Sequence, residues 1–168
     1  MSSFYHFAYG SNLLESRMHK RVGRGALFQS EAQLSGHTVC YHKRSSKDGS
    51  GKLTVVETGN TADVVHGVVY RICPADMVVL DKLEGLGYGY EKKEVSVEVP
   101  SGFREVVLYS AVPDVIDPLL LPYEWYMDLI VAGARQRGFP EEYIRALLIV
   151  QAMLDPDEKR DRRNRKLL

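Results

Sequence analysis

The order of the predicted elements places this chain of 168 residues in the α+β class. Strand-like runs dominate its first two thirds, and helical patterns dominate the last third. This segregation differs from the regular alternation of strands and helices that builds a parallel sheet. Hydrophobic residues make up 45% of the chain, which is typical of a soluble globular protein. We therefore expect one α+β domain over residues 1–156, followed by a charged C-terminal tail over residues 157–168.

The strands are predicted from apolar and alternating runs bounded by turn residues. They span Ser3–Tyr9, Val39–His42, Leu53–Glu57, His66–Ile72, Tyr90–Val99 and Arg104–Ala111. The helices are predicted from proline near their starts and glycine at their ends. They span Leu13–Arg21, Pro74–Leu83, Pro122–Arg137 and Pro140–Leu154. The segment Asp157–Lys166 is so highly charged that we interpret it as a frayed helix end or a flexible tail.

Composition excludes several classes of function. The 22 basic residues balance 22 acidic residues, so net charge gives no reason to expect nucleic acid or a membrane surface as a partner. No apolar run is long enough to cross a bilayer, and no secretory signal is recognisable. Two cysteines suit a reducing compartment, and we expect a cytoplasmic protein. The five histidines have no metal-ligand spacing, so no metal and no cofactor is expected.

The most informative segment is residues 7–13 (FAYGSNL), predicted as a strand end, a tight turn and a helix start. Gly10 permits the bend, and Asn12 with Glu15 three residues later has the pattern of a capping box. Such a junction directs free backbone N–H groups at one point, where an anion can bind. The turn is therefore a candidate site for a carboxylate or a phosphate.

Glu84 is the second informative position. It lies four residues after Leu80 and seven after Met77, on the apolar face of a predicted helix. Burial and the negative end of the helix dipole would both raise its pKa, as a general acid and base near neutral pH requires. The alternative is a surface glutamate at a frayed helix end.

Two other motifs are less informative about function. The run 85–90 (GLGYGY) could bring backbone and tyrosines close to a ligand, or it could be a simple turn into the next strand. The run 48–52 (DGSGK) ends like a phosphate loop, but it lacks the first glycine and the hydroxyl residue after the lysine. We therefore predict no nucleotide site there.

In combination, these segments resemble the γ-glutamylcyclotransferase family, also called AIG2-like. The resemblance extends from Phe4 to about Met153. It is carried by the motifs FAYGSNL at 7–13, HGVVY at 66–70 and LDKLEG at 80–85, with support from Tyr126 to Ala134 and from GFPEEY at 138–143.

The resemblance implies a small mixed β-barrel flanked by helices, with the pocket in its mouth and no cofactor or metal. It implies that Glu84 is catalytic and that a set of turn residues and tyrosines binds substrate: Tyr9, Gly10, Ser11, Asn12, Leu13, Tyr90, Tyr109 and Tyr126. Tyr88 competes with Tyr90 for its place. The implied substrate is a small γ-glutamyl compound, from which intramolecular attack of the α-amine releases 5-oxoproline.

Two alternatives stay open. The chain could be a non-catalytic member of the same fold that binds a small carboxylate or a protein, or it could bind a partner through its basic tail. Deleting Lys159–Leu168 is expected to leave an enzyme active and to abolish tail-dependent binding. The leaving half of the substrate and the oligomeric state are not readable from the sequence.

Overall fold

A closed five-stranded barrel lies at the centre of the computed structural model, which describes residues 3–168. Neighbouring strands follow the order β1-β5-β2-β6-β7. The strands are β1 Phe4–Ala8, β2 Leu27–Ser35, β5 Val64–Ile72, β6 Tyr90–Val99 and β7 Gly102–Ala111. All neighbours are antiparallel except β1 and β7, which close the barrel in parallel with His6 opposite Val107. The predicted α+β class and the mixed barrel implied by the family resemblance are confirmed.

The other two strands, β3 His37–Arg44 and β4 Gly51–Glu57, form a separate hairpin. Their register is irregular between Cys40 and Lys43, which places Lys43 directly opposite Lys52. Lys43 and Lys52 therefore lie on the two strands just outside the connecting loop, residues 45–50.

Five α-helices flank the sheets: α1 Glu15–Val22, α2 Pro74–Glu84, α3 Glu124–Gln136, α4 Glu141–Leu147 and α5 Glu158–Arg165. Helix α3 packs against the turn that follows β1, and Gly133 makes this approach possible. A Cβ at Gly133 would lie 2.5 Å from the backbone nitrogen of Leu14 and 2.6 Å from the Cβ of Leu13. The close packing of α3 thus fixes the position of the turn.

Apolar side chains from the barrel, α2 and α3 share one core. Its fully buried members include Phe7, Tyr70, Leu80, Leu108, Leu129 and Ile130. Burial of a large apolar side chain contributes about 1.5–3 kcal/mol, so this core holds the strand and helix ends in place. No helix within residues 3–168 has the length and apolar character that spanning a membrane requires.

Three segments differ from the prediction. Strand β2 was not predicted, because polar residues alternate along it and only Ala32 and Leu34 are buried. Helix α4 ends at Leu147 rather than Leu154. The chain leaves the helix because Met153 exchanges backbone hydrogen bonds with Pro122 and Glu124 at the start of α3.

The charged C-terminal segment is the third difference, because it forms a helix, α5, that packs on α3. Arg165 pairs with Glu124 and Asp128 of α3, and Asp161 accepts from the same arginine within α5. The two partners on α3 lie more than 30 positions before Arg165 in sequence, so local charge density gave no sign of them. The division at residue 156 stays a prediction.

Candidate active site

The turn after β1, the end of α2 and the β3–β4 hairpin enclose a cavity of about 150 Å³. The cavity is lined by eight of the nine predicted site residues: Tyr9, Gly10, Ser11, Asn12, Glu84, Tyr90, Tyr109 and Tyr126. The exception is Leu13, whose side chain is fully buried in the core. Its N–H is also occupied, because it donates to the carbonyl of Gly10 at 2.9 Å. Leu13 thus supports the turn from below and does not face the cavity.

The turn is one 3₁₀ turn, Ser11–Leu13, immediately followed by α1. The N–H groups of Ser11 and Asn12 have no acceptor among residues 3–168. Free N–H groups at the start of a helical turn are donors for an anion. The turn therefore presents two backbone donors at the wall of the cavity.

The predicted capping role of Asn12 is wrong. Leu14 occupies the N-cap position of α1, and no side chain caps that helix. The 3₁₀ turn draws Asn12 into the cavity instead, where its amide nitrogen donates to Glu84 Oε1 at 3.2 Å. Its amide oxygen accepts from Arg21 Nη1 at 3.1 Å. Asn12 thus links the turn to the catalytic candidate.

Glu84 is the last residue of α2, and its side chain is only 13% exposed. Gly85 ends the helix in the left-handed conformation, with φ 67°, where a glycine is favoured. Oε1 of Glu84 accepts from Asn12 and lies 3.0 Å from Arg21 Nη1. Oε2 has no partner within residues 3–168. One oxygen is therefore fixed, while the other is available to a bound molecule.

Two of the predicted tyrosines hold the β4 backbone against the barrel. The hydroxyl of Tyr90 donates to the carbonyl of Leu53 at 2.9 Å, and the hydroxyl of Tyr126 accepts from the N–H of Leu53 at 3.1 Å. Burial raises the pKa of both phenols, so both are neutral at physiological pH. Tyr90, at 7% exposure, forms part of the inner wall, whereas its competitor Tyr88 is 64% exposed at the rim.

The other two tyrosines connect strands and helices across the cavity. Tyr9 donates its hydroxyl hydrogen to the carbonyl of Tyr109, and the Tyr109 hydroxyl donates to Asp81 Oδ1 at 2.6 Å. Burial also raises the pKa of Tyr9 and Tyr109. All four tyrosines are therefore rigid, neutral walls rather than acids or bases.

The cavity is also lined by six cations that the sequence argument did not name as site residues, namely Arg17, Arg21, Lys43, Lys47, Lys52 and Lys82. Arg17 and Arg21 are four residues apart on α1, a spacing that places both on one helix face, toward the turn. This spacing could have identified both arginines as candidate site residues. Lys43 was not predicted because the predicted strand ended at His42, whereas β3 continues to Arg44 and has Lys43 on the same buried face as Tyr41.

The contacts of Lys52 show why residues 48–52 resemble a phosphate loop in sequence but do not form one. Its Nζ donates to Asp48 Oδ2 at 3.1 Å and to Ser50 Oγ at 2.7 Å. It also lies over the ring of Tyr126 at 4.6 Å. Burial lowers the pKa of Lys52 to about 8, and Asp48 partly opposes that shift. The loop therefore surrounds its own lysine rather than a phosphate.

His6 is a further buried polar residue on the cavity wall. Its Nδ1 lies 3.1 Å from the carbonyl of Val107, which can only accept, so Nδ1 carries the proton. Burial lowers the pKa of His6 to about 4, which keeps the ring neutral. Within residues 3–168, no three acidic, histidine or cysteine side chains are arranged to hold a metal ion.

Comparisons with known proteins agree with this architecture. The AIG2-like family profile matches residues 64–147. The chain is 33% identical to a bovine gamma-glutamylcyclotransferase over 156 residues, which cover 86% of this chain and 77% of the relative. It is 30% identical to the human gamma-glutamylcyclotransferase over 154 residues, covering 89% and 79%. A solved structure titled gamma-glutamyl cyclotransferase superposes with a TM-score of 0.81 at 26% identity, covering 96% of this chain and 99% of that one.

A mixed barrel with a glutamate at the mouth of its cavity defines an enzyme fold of the cyclotransferase type. On the family profile and the extent of these identities, the chain belongs to the AIG2-like, or γ-glutamylcyclotransferase, family of enzymes.

Proposed function

We propose that this protein releases 5-oxoproline from a small γ-glutamyl compound, with Glu84 as general acid and base. One observation carries the proposal. Glu84 has one oxygen fixed by Asn12 and Arg21, and its other oxygen is open beside a turn with two free N–H donors. A positioned carboxylate next to an anion-binding turn is what cyclisation of a glutamyl group requires.

The chemistry is an intramolecular acyl transfer. The α-ammonium of the glutamyl group gives a proton to Glu84 Oε2, and the resulting amine attacks the γ-carbonyl carbon of the same molecule. A C–N bond forms in the new five-membered ring, and the C–N bond to the leaving amine breaks. Glu84 gives this proton to the leaving nitrogen as its bond to carbon breaks. The ring nitrogen must lose a second proton to become the amide N–H of 5-oxoproline, and Glu84 transfers that proton to the released amine as well. The amine leaves as an ammonium ion, and Glu84 is again the carboxylate that it was at the start.

The remaining groups orient the substrate. The N–H groups of Ser11 and Asn12 hold the glutamyl α-carboxylate, which places the α-amine toward Glu84. The neutral walls of Tyr9 and Tyr126 restrict the folded glutamyl chain and exclude water. Attacker and target are parts of one molecule, so restricting this chain to a reactive geometry is the main contribution of the site.

Two further expectations belong to the proposal. We expect the enzyme to be cytoplasmic, since its two cysteines suit a reducing compartment. We also expect it to need no cofactor, because acid–base transfer by one carboxylate completes the reaction. The alternative is a non-catalytic member of the fold that binds a carboxylate. Such a protein would not need Glu84 with an uncontacted Oε2 next to the binding turn.

The decisive experiment is incubation of the protein with γ-glutamyl amino acids, γ-glutamylamines and glutathione, followed by quantification of 5-oxoproline. Turnover of at least one compound is the expected result. Binding of a γ-glutamyl compound by calorimetry without any 5-oxoproline would support the non-catalytic alternative and contradict the proposal.

A further inference from the structure

His6 is a buried histidine on the wall of the cavity, and one of its ring nitrogens has no hydrogen-bond partner. The residue is 3% exposed and lies on β1, three residues before Tyr9. Its Nδ1 carries the proton and donates to the carbonyl of Val107, so Nε2 is an acceptor. Nε2 is buried, and no donor reaches it within residues 3–168. His6 therefore brings an unused acceptor to the cavity wall.

An unpaired acceptor at such a position destabilises the protein, because it has lost water and gained nothing in return. An apolar side chain of similar size would fill the same space without this cost. The neighbouring buried hydroxyl groups do not share the defect, since Tyr9 and Tyr109 both donate to an acceptor of the protein. A donor bound in the cavity would remove the cost at His6.

The ring of His6 is fixed and neutral. Its Nδ1 is held by Val107 at 3.1 Å, and its edge packs against the ring of Tyr109, with centroids 5.4 Å apart and planes at 63°. Burial lowers the pKa of His6 to about 4, although the nearby charge of Glu84 partly opposes that shift. Nε2 thus keeps its lone pair at neutral pH, and its low basicity suits it to accept a hydrogen bond without taking the proton.

The reacting nitrogen of the proposed substrate is a donor of the required kind. Its ammonium group carries three hydrogens, of which two leave through Glu84 during cyclisation. The third remains on nitrogen and becomes the amide N–H of 5-oxoproline. Lysine and arginine side chains are donors only, so the six cations of the cavity cannot accept this hydrogen. His6 Nε2 is an acceptor on the same wall with no competing donor.

We propose that His6 Nε2 accepts a hydrogen bond from the α-nitrogen of the glutamyl group, through the hydrogen that stays on this nitrogen from substrate to product. This inference rests on the proposed function. No bond to hydrogen is broken at His6. The contact holds the nitrogen between His6 and Glu84 and directs its lone pair, once Glu84 has taken the first proton, toward the γ-carbonyl carbon.

The test uses two unreactive ligands of the same charge and nearly the same shape. L-5-Oxoproline has an N–H in its ring, and the γ-lactone of α-hydroxyglutarate has an oxygen at that place. For the wild type, we expect NMR titration to give a Kd at least about fivefold lower for 5-oxoproline, as one net hydrogen bond supplies. In nitrogen NMR, the Nε2 resonance of His6 should move on saturation with 5-oxoproline and not with the lactone.

Two substitutions separate the roles of the two ring nitrogens. The amide of His6→Gln extends to the place of Nε2 and offers an oxygen there. The amide of His6→Asn ends near the place of Nδ1, where it can keep the bond to Val107. We expect His6→Asn to remove the preference for 5-oxoproline and His6→Gln to retain part of it. The control is His42→Asn on β3, which lines a different cavity and should keep the full preference.

Equal loss of affinity for both ligands in His6→Asn would show a structural role alone and would overturn the proposal. Failure of the wild type to bind 5-oxoproline, or to prefer it, would do the same. If circular dichroism shows that the variants do not fold, an Nε2 resonance that does not move in the wild type overturns it. Release of 5-oxoproline from a γ-glutamyl compound without this preference contradicts only the role of His6. A preference that depends on His6, without such release, contradicts only the proposed function.

Discussion

The turn after β1 and the β3–β4 hairpin meet at one cavity but treat charge in different ways. At the turn, Arg21, Asn12 and Glu84 form a connected set of hydrogen bonds. At the hairpin, Lys52 has its own acidic partner, whereas no carboxylate of residues 3–168 pairs with Lys43, which lies over the ring of Tyr90 instead. The hydrogen bonds at the turn thus hold the catalytic candidate in one position, while the hairpin carries one charge with an acidic partner and one without. The comparison teaches that the two elements hold their charged groups at the cavity by different interactions.

The largest expected effect tests the turn side of this comparison. Glu84→Gln keeps the shape of the side chain and its contact at Oε1 but cannot exchange a proton. We expect kcat to fall by about 10²–10⁴, the usual contribution of general acid–base catalysis. Steady-state release of 5-oxoproline, with circular dichroism as a check on folding, measures this change.

The matched control is Glu94→Gln, which alters an exposed glutamate on β6 and should leave kcat unchanged. A Glu84→Gln variant with a rate within about threefold of the wild type would remove Glu84 from the mechanism.

Two substitutions in the β3–β4 hairpin are expected to change the free energy of unfolding by intermediate amounts and in opposite directions. Lys52→Met leaves the Asp48 carboxylate without its cation, and we expect the free energy of unfolding to fall by about 2 kcal/mol. Lys43→Met removes a buried charge that has no partner, and we expect a gain of about 1 kcal/mol. Urea unfolding of both variants measures the difference.

Lys20→Met, at an exposed position of α1, is the reference, since an exposed substitution should change stability by less than about 0.5 kcal/mol. Loss of stability in Lys43→Met similar to that in Lys52→Met would show that both lysines are structural, and the contrast between them would fail.

The smallest expected effect, on KM and on stability, tests whether α5 supports the part of the cavity next to the turn after β1. Asn164 of α5 accepts from Arg17 Nη1 at 2.9 Å. Arg17 lines the cavity, and no acidic side chain of residues 3–168 pairs with it. We expect Asn164→Ala to raise KM about threefold with kcat unchanged, and to lower the free energy of unfolding by about 1 kcal/mol. Kinetics and urea unfolding provide the two measurements.

Arg163→Ala, on the exposed side of the same helix, is the control and should change neither quantity. Unchanged KM in Asn164→Ala would show that α5 is independent of the site. The structure thus changes the earlier expectation for removal of Lys159–Leu168, because that segment now carries a contact to a cavity residue.

Much of the fold and of the turn side of the site could be predicted. Local patterns at Gly10, Gly85 and Leu80 indicated a strand end, a helix end and a buried face, and the structure has all three. The prediction failed at Asn12, whose side chain has two chemically reasonable partners. The capping pattern favoured the local one, whereas the tertiary fold supplies Glu84, 72 positions away.

The hairpin side could not be predicted for a related reason. A lysine next to a polar loop is ordinarily solvated, and the predicted strand ended at His42, one residue before Lys43. In the structure β3 continues to Arg44, so strand alternation places Lys43 on the buried face that it shares with Tyr41. The partner of Asn164 is likewise decided by the packing of α5, at a separation of 147 positions.

The sequence by itself determined the α+β class, the turn at Gly10, the helix end at Glu84 and the family, because these depend on short-range backbone preferences and on motifs of a few adjacent residues. The tertiary structure alone decided which charges have partners: Glu84 pairs with Arg21 and Lys52 with Asp48, whereas Lys43 has no acidic partner in the described part of the chain, residues 3–168. The physical reason is that pairing between charges depends on distances across elements and on burial, and both are established only when the barrel closes and the hairpin folds against it.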